Sequence, residues 1–321
     1  MMHRNSPATP KRSRTIRIAA IGVAAAGTAL FHHLASWRAE ARHPPQGRFI
    51  DVDGVRLHVV DRGAGNTVLL LHGNGVSLDD FIASGVLDRL AMTYRVIAID
   101  RPGFGHSSRP RGRVWTPAAQ AALFAKVMDA LDVDSAVVVG HSWGAMVALA
   151  LALDHPEKVA GLVLMSGYYY PTVRGDVAPA GLAALPLAGD VIAHTVSPLI
   201  AAATGPAVVA ASFAPAPVSP KFDRFPKALA LRPSPLRAAS AEAAMMVPAA
   251  ASLSRRYNEL AMPIAILAGT GDGIAWPSRH AERLAQVLPA AILHLIEGQG
   301  HLFHYAEPGT VADAVRAVER G

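Results

Sequence analysis

The stretch AVVVGHSWGAMVALALALD, residues 136–154, decides the fold. Residues 136–139 form an apolar run with three consecutive valines, as in a strand buried on both faces, and residues 145–153 have the composition of a buried helix. Between them, Gly140 and Gly144 stand two positions either side of Ser142. Without a Cβ, the glycines let the strand and helix backbones pass closely while the serine sits on a strained turn with its hydroxyl outward. Strand, sharp turn and helix form the context in which a G-x-S-x-G serine acts as a covalent catalyst. Such pentapeptides also arise in small-residue turns, and the chain has 27 glycines, so the reading depends on partners elsewhere.

Outward from this stretch, strand and helix patterns alternate, which predicts an α/β fold with a mostly parallel sheet covered by helices on both faces. Residues 49–52 and 55–60 straddle Asp53-Gly54, a hairpin signal, so the sheet begins with an antiparallel pair. Parallel strands follow at 68–71, 96–99, 136–139, 162–165, 264–267 and 292–296. Thr116 and Pro117 suit the N-cap and first position of a helix running to about Leu131. About 95 residues separate Ser166 from Ile264, far more than one crossover helix needs. An inserted helical cap explains them, and the chain divides into an N-terminal segment (1–43), a first core part (44–171), the cap (172–261) and a second core part (262–321).

A serine hydroxyl is a poor nucleophile at neutral pH; Ser142 needs a base within hydrogen-bond reach and a carboxylate to orient that base. Asp272, in the glycine-rich loop after the 264–267 strand, and His301, after the 292–296 strand, supply them just past the carboxyl ends of parallel strands. Asp272 has a competing reading as the cap of a helix beginning near Pro277, and His304 stands as a rival to His301. With no cysteine and no neighbouring carboxylate cluster, the two histidines do not read as a metal pair. His72-Gly73-Asn74-Gly75 follows the 68–71 strand, where the Asn74 NH could meet the NH of Trp143 at an oxyanion. His72 and His141 read as residues that pack or bond to backbone within these turns. Tyr168, at the cap entrance, and Met245 and Met246, within the cap, are candidates to line a substrate pocket, with packing as the alternative for each.

Taken together, His72 to Gly75, Asp100-Arg101-Pro102-Gly103-Phe104-Gly105, Gly140 to Gly144, the loop reaching Asp272, and Gly300-His301 resemble the α/β-hydrolase superfamily over about residues 47–321. The resemblance implies an eight-stranded sheet with its second strand antiparallel, a cap after the sixth strand, and no cofactor. It also makes residues 100–108 a structural loop beside the site. Asn74 with Trp143 looks like the halide-binding pair of haloalkane dehalogenases, but that group uses an aspartate nucleophile where this chain has Ser142. The chain is therefore more similar to the serine esterase, lactonase and perhydrolase branches. The expected reaction is cleavage of an ester, lactone or thioester, with a small apolar acyl substrate. A cofactor-free perhydrolase with the same triad and a non-catalytic small-molecule receptor are the alternatives.

The formal charge of +6 is concentrated at one end. Residues 1–43 hold seven Lys and Arg against the single acid Glu40, leaving 23 of each sign in the rest of the chain. A basic stripe for nucleic acid is thereby excluded. Five of those basic residues precede an apolar run at 18–31, which predicts a membrane anchor with the catalytic part extracytoplasmic. Gly27-Thr28-Ala29 offers signal cleavage and secretion as an alternative, and a basic tail before an amphipathic helix is a third. The absence of cysteine excludes disulfides and thiolate metal sites.

Overall fold

A computed structural model describes residues 11–172 and 188–320, with side chains from residue 26 onward and, after the break, from residue 189. The first ten residues and 173–187, which include part of the expected N-terminal segment and of the expected cap, lie outside the described residues. The chain opens with helix α1 (Lys11–Arg42), followed by the hairpin β1 (Arg48–Val52) and β2 (Val55–Arg62). Then come β3 (Thr67–Leu71), α2 (Asp79–Ser84), α3 (Val86–Ala91), β4 (Arg95–Ile99) and α4 (Pro117–Ala130). β5 (Ala136–His141), α5 (Trp143–Asp154) and β6 (Val159–Met165) complete the first core part. Helices α6 (Ala188–Thr195), α7 (Ser197–Phe213), α8 (Lys227–Ala230) and α9 (Pro233–Leu253) lie between β6 and β7 (Ile264–Gly269). The chain ends with α10 (Ala281–Val287), β8 (Ile292–Ile296) and α11 (Pro308–Arg320).

The eight strands form one sheet in the order β1-β2-β4-β3-β5-β6-β7-β8. Only β2 runs against its neighbours, pairing antiparallel with both β1 and β4, as the sequence resemblance implies. Every residue of β5 and β7 is buried, because helices cover both faces. Alternate side chains enter different cores: Leu69, Ile97 and Val138 pack with α4 and α5, whereas Leu70, Val96 and Val139 pack with α2, α3 and α11. The expected cap of α4 is present, with Thr116 Oγ1 accepting the Ala119 NH at 3.1 Å and Pro117 in the first turn. α9 lies on α5, and there Met245 and Met246 pack against the first core, the packing alternative for that pair.

The N-terminal helix is longer than the apolar run that predicts it, running unbroken to Arg42. It rests on α6 and α8, buries His32 and Ala39, and pairs Glu40 with Arg232 ahead of α9. Among the described residues no single helix is long and apolar enough to cross a membrane, although the bent pair formed by α6 and α7 meets that test by length and composition.

α5 passes β3 and β5 at close quarters. A Cβ at Gly144 would collide with the Leu71 carbonyl, and one at Gly140 would lie 2.5 Å from the Gly144 carbonyl. Both obstacles are backbone, which cannot rotate aside. Gly144→Ala is therefore expected to lower stability by about 1–3 kcal/mol, the usual range for overpacking, read as a shift in denaturant midpoint.

Candidate active site

Ser142 joins β5 to α5 with φ 54 and ψ −115, a conformation an L-residue holds only when its surroundings enforce it. Its NH donates to the Met165 carbonyl at 2.8 Å, extending the β5–β6 ladder into the turn. From the other side Gly73 closes in: a Cβ there would lie 2.9 Å from His141 Nδ1 and 3.2 Å from Ser142 Cβ. The His72–Gly75 turn and the serine turn are thus in contact.

His301 and Asp272 meet as the sequence reading requires. His301 Nδ1 lies 2.8 Å from Asp272 Oδ2, while Asp272 Oδ1 accepts the NH groups of Ile274 and Ala275 at 2.8 and 2.9 Å. Both carboxylate oxygens are therefore engaged, but Asp272 does not cap the helical turn that begins at Pro277: the N-cap there is Trp276, with no side-chain bond, and the two NH groups that Asp272 accepts lie in the loop ahead of it. Burial alone would raise the Asp272 pKa, but the facing His301 and the two NH donors outweigh it and hold the carboxyl below its ordinary 3.8. The loops after β7 and β8 are joined by Thr270 NH to Ile296 O and Gly271 NH to Gln299 O. His141, the neighbour of Ser142, approaches His301 with ring centroids 5.0 Å apart and hydrogen-bonds from Nε2 to the His301 carbonyl at 3.2 Å.

The expected oxyanion donors occupy the two facing turns. Among the described residues, no backbone carbonyl accepts the NH of Asn74 or of Trp143. Trp143 opens α5, so its NH belongs to the unpaired first turn and the positive end of the helix dipole. The Asn74 side chain is committed elsewhere, donating to the Ala239 carbonyl of α9 at 3.1 Å. The indole of Trp143 is buried, with its NH unpaired among the described residues.

His72 behaves as a backbone-bonding residue: Nδ1 lies 2.8 Å from the Gly73 carbonyl and Nε2 accepts the Arg101 NH at 2.9 Å. Burial pushes its pKa down to about 3, helped by the nearby Arg101 charge, so it is neutral near pH 7. Tyr168 is buried against the His280 ring and bonds to the Thr172 backbone, a packing role. His304 is no rival base. It bonds to Asp80 at 2.9 Å, as does Tyr305, and among the described residues no cluster of metal-ligating side chains occurs. Asp100 ties its loop together by accepting from His58, Leu78 NH and His106 NH.

The sequence reading did not single out the side chains that brace the site. Arg101 is fully buried; it donates to the carbonyls of His72 at 2.7 Å and Gly73 at 2.8 Å, to Gln120, and bidentately to Glu242 of α9. Helix α9 thereby holds the Asn74 turn in two ways, through Glu242–Arg101 and through Ala239–Asn74. A signal for this exists in the sequence: Arg237 and Glu242 are the only charged residues of α9, and Glu242 sits among alanines and methionines. A lone carboxylate on an apolar helix face needs a buried partner.

The chain belongs to the alpha/beta hydrolase fold family, whose model matches residues 66–308. Its sequence relatives include hydrolases, and its structural neighbours include esterases and an enol-lactonase. The chain is 38% identical over 135 residues to the 2-hydroxymuconate semialdehyde hydrolase of Pseudomonas sp. strain CF600; the match takes in 41% of this chain, and the chain spans about half (48%) of that relative. An uncharacterized protein of Mycobacterium tuberculosis is 31% identical over 284 residues, which are 85% of this chain and 80% of that protein. A thermophilic esterase from Thermogutta terrifontis superposes with a TM-score of 0.65 at 24% identity, covering 85% of this chain and 98% of that one.

Two outcomes follow from the buried charges. Glu242→Ala, which strands the Arg101 guanidinium, is expected to cost about 3–5 kcal/mol in denaturant unfolding, part of it recovered in the double variant Arg101→Met, Glu242→Leu. Acid should weaken the fold as well. Because the His72 pKa lies at about 3 in the folded chain against 6.5 ordinarily, the unfolded chain takes up the proton first as pH falls below 6.5. Stability from this group then declines by about 1.4 kcal/mol per pH unit. The depressed carboxyls of Asp80, Asp100 and Asp272 add to stability above 3.8 and lose that contribution as pH falls through their lower folded values. A urea midpoint that starts to fall near pH 6.5 is the expected reading.

Proposed function

We propose that this hydrolase cleaves a carboxylic ester, lactone or thioester through an acyl-enzyme on Ser142. The observation that carries the reading is the His301–Asp272 pair, 2.8 Å apart, on loops that follow β8 and β7 at the end of the sheet where Ser142 stands on its positive-φ turn. With Nδ1–H donated to Asp272, His301 keeps a lone pair on Nε2 to take the Ser142 proton. The serine oxygen then adds to the substrate carbonyl, and the NH groups of Asn74 and Trp143 receive the oxyanion. Collapse breaks the bond to the leaving group, which takes its proton from His301 Nε2. Water enters, gives a proton to His301 and adds to the acyl carbon, and the second collapse frees the acid and restores Ser142. Each residue ends as it began, so the cycle needs no cofactor.

The same reading takes α1 as an attachment to a membrane with the catalytic part extracytoplasmic. Its support is the basic sequence ahead of the 18–31 run and the exposure of Leu30, Phe31, Leu34 and Trp37 farther along the helix. The pocket is expected to accept a small apolar acyl group.

A fluorophosphonate probe is expected to label the protein at Ser142, and Ser142→Ala to abolish both labelling and the burst of chromophore from a p-nitrophenyl acyl ester. His301→Ala should lower kcat by about 10⁶-fold, as loss of the base does in such triads. A Ser142→Ala protein that keeps its burst would overturn the reading.

A further inference from the structure

The thirty residues from Val191 to Pro220 contain no Asp, Glu, Lys or Arg, yet most of them are not buried. Helix α7, at the centre of this stretch, buries only Pro198 and Phe213. Val191, Val196, Leu199, Ile200 and Val208 are 47–59% exposed. A helix on the surface of a water-soluble domain carries charged residues on its outer face, and this one carries none. A second exposed apolar set stands on α1, where Leu30, Leu34 and Trp37 recur at intervals of four and three residues, with Phe31 beside them. α1 leans on α6, and α6 on α7, so the two sets belong to adjoining elements.

Charge selects what meets this surface. Lys11, Arg12, Arg14 and Arg17 occupy the first turns of α1, and no acid stands among the first 39 residues. The uncharged apolar surface suits the acyl region of a bilayer, and the lysine and arginines, which lie ahead of the 18–31 run and so on its far side, suit the anionic headgroups there. We propose that α7 and the exposed side of α1 seat this enzyme in the interfacial region of an anionic lipid bilayer.

The seat leads to the site. At its carboxyl end α7 meets the loop bearing His301: Leu302 NH donates to the Ser212 carbonyl at 3.1 Å, and Gly300 packs on the carbonyls of Phe213 and Ala214. The seat is thereby joined directly to the loop that carries the base, and the substrate class that follows is an ester borne by the membrane. This inference rests on the reading of α1 as a membrane attachment.

The chain has no cysteine, so single-cysteine labelling is clean. Ala202→Cys on the exposed part of α7, and Glu157→Cys near the start of β6 at the far end of the sheet, are each labelled in the full chain with an environment-sensitive fluorophore. The proteins are mixed with phosphatidylethanolamine–phosphatidylglycerol vesicles containing spin-labelled lipid, and flotation is measured in parallel. Expected are flotation of both proteins and a blue-shifted label at 202, quenched severalfold more than the label at 157. Failure to float overturns both the attachment reading and the seat. Flotation with an unquenched label at 202 overturns the seat alone, and so does a blue shift already present without lipid in a dimer, which would mean that a second copy covers α7. In a further variant, Leu199→Glu with Ile200→Glu, fluorophosphonate labelling and hydrolysis of a soluble short-chain ester should be unchanged while hydrolysis of a short-acyl ester carried on a vesicle-anchored lipid falls severalfold. Equal loss on both esters would count against the seat.

Discussion

The close passage of α5 beneath the carboxyl ends of β3 and β5 is the constraint on which the other features depend. Two backbones can approach this nearly only where no Cβ intervenes, and Gly140 and Gly144 meet that condition on opposite sides of one turn. The passage forces Ser142 into positive φ and brings the first turn of α5 against the His72–Gly75 turn. Local strain is tolerable there because the flanking strand is wholly buried and the helix is buried from Trp143 to Leu153. A rigid core thus holds a conformation that the isolated peptide would not keep.

Around that turn the polar groups arrange themselves by a common rule: each buried charge or imidazole is answered by a specific partner. Asp272 is answered by His301 and two NH groups, Asp100 by His58 and two more, Asp80 by His304 and Tyr305, and Arg101 by Glu242 and two carbonyls. Such groups contribute order more than net stability, since each costs desolvation before it gains a bond. Their concentration beneath the serine turn gives the facing loops a single arrangement.

The fold was largely legible in the sequence because the strands are buried on both faces and read as continuous apolar runs, while the turns between them are marked by glycine. Ser142, Asp272 and His301 were legible for a related reason, as each follows such a run directly. The His72–Gly75 turn lies beside Ser142, as its place after a parallel strand implies, but nothing local to it in the sequence points to its bracing. Arg101 and Glu242 lie 141 residues apart, and nothing local in either segment says that they meet. Tyr168 and the two methionines were ambiguous between lining and packing, since an apolar side chain suits either, and the structure uses them in packing. The length of α1 was underestimated because a helix that leans on a neighbour can continue through His32, His33 and Arg38, where apolar periodicity lapses.

The bond between Glu242 and Arg101 also bears on modularity. Inserted caps are commonly treated as exchangeable parts that tune specificity over an unchanging catalytic floor. Here the floor borrows a carboxylate from the cap, and the turn bearing Asn74 is set by it. A cap transplanted from a relative without an acid at that place would leave a guanidinium sealed in an apolar interior. In this chain, then, the shape of the Asn74 turn and the helix that lies over it are inherited together.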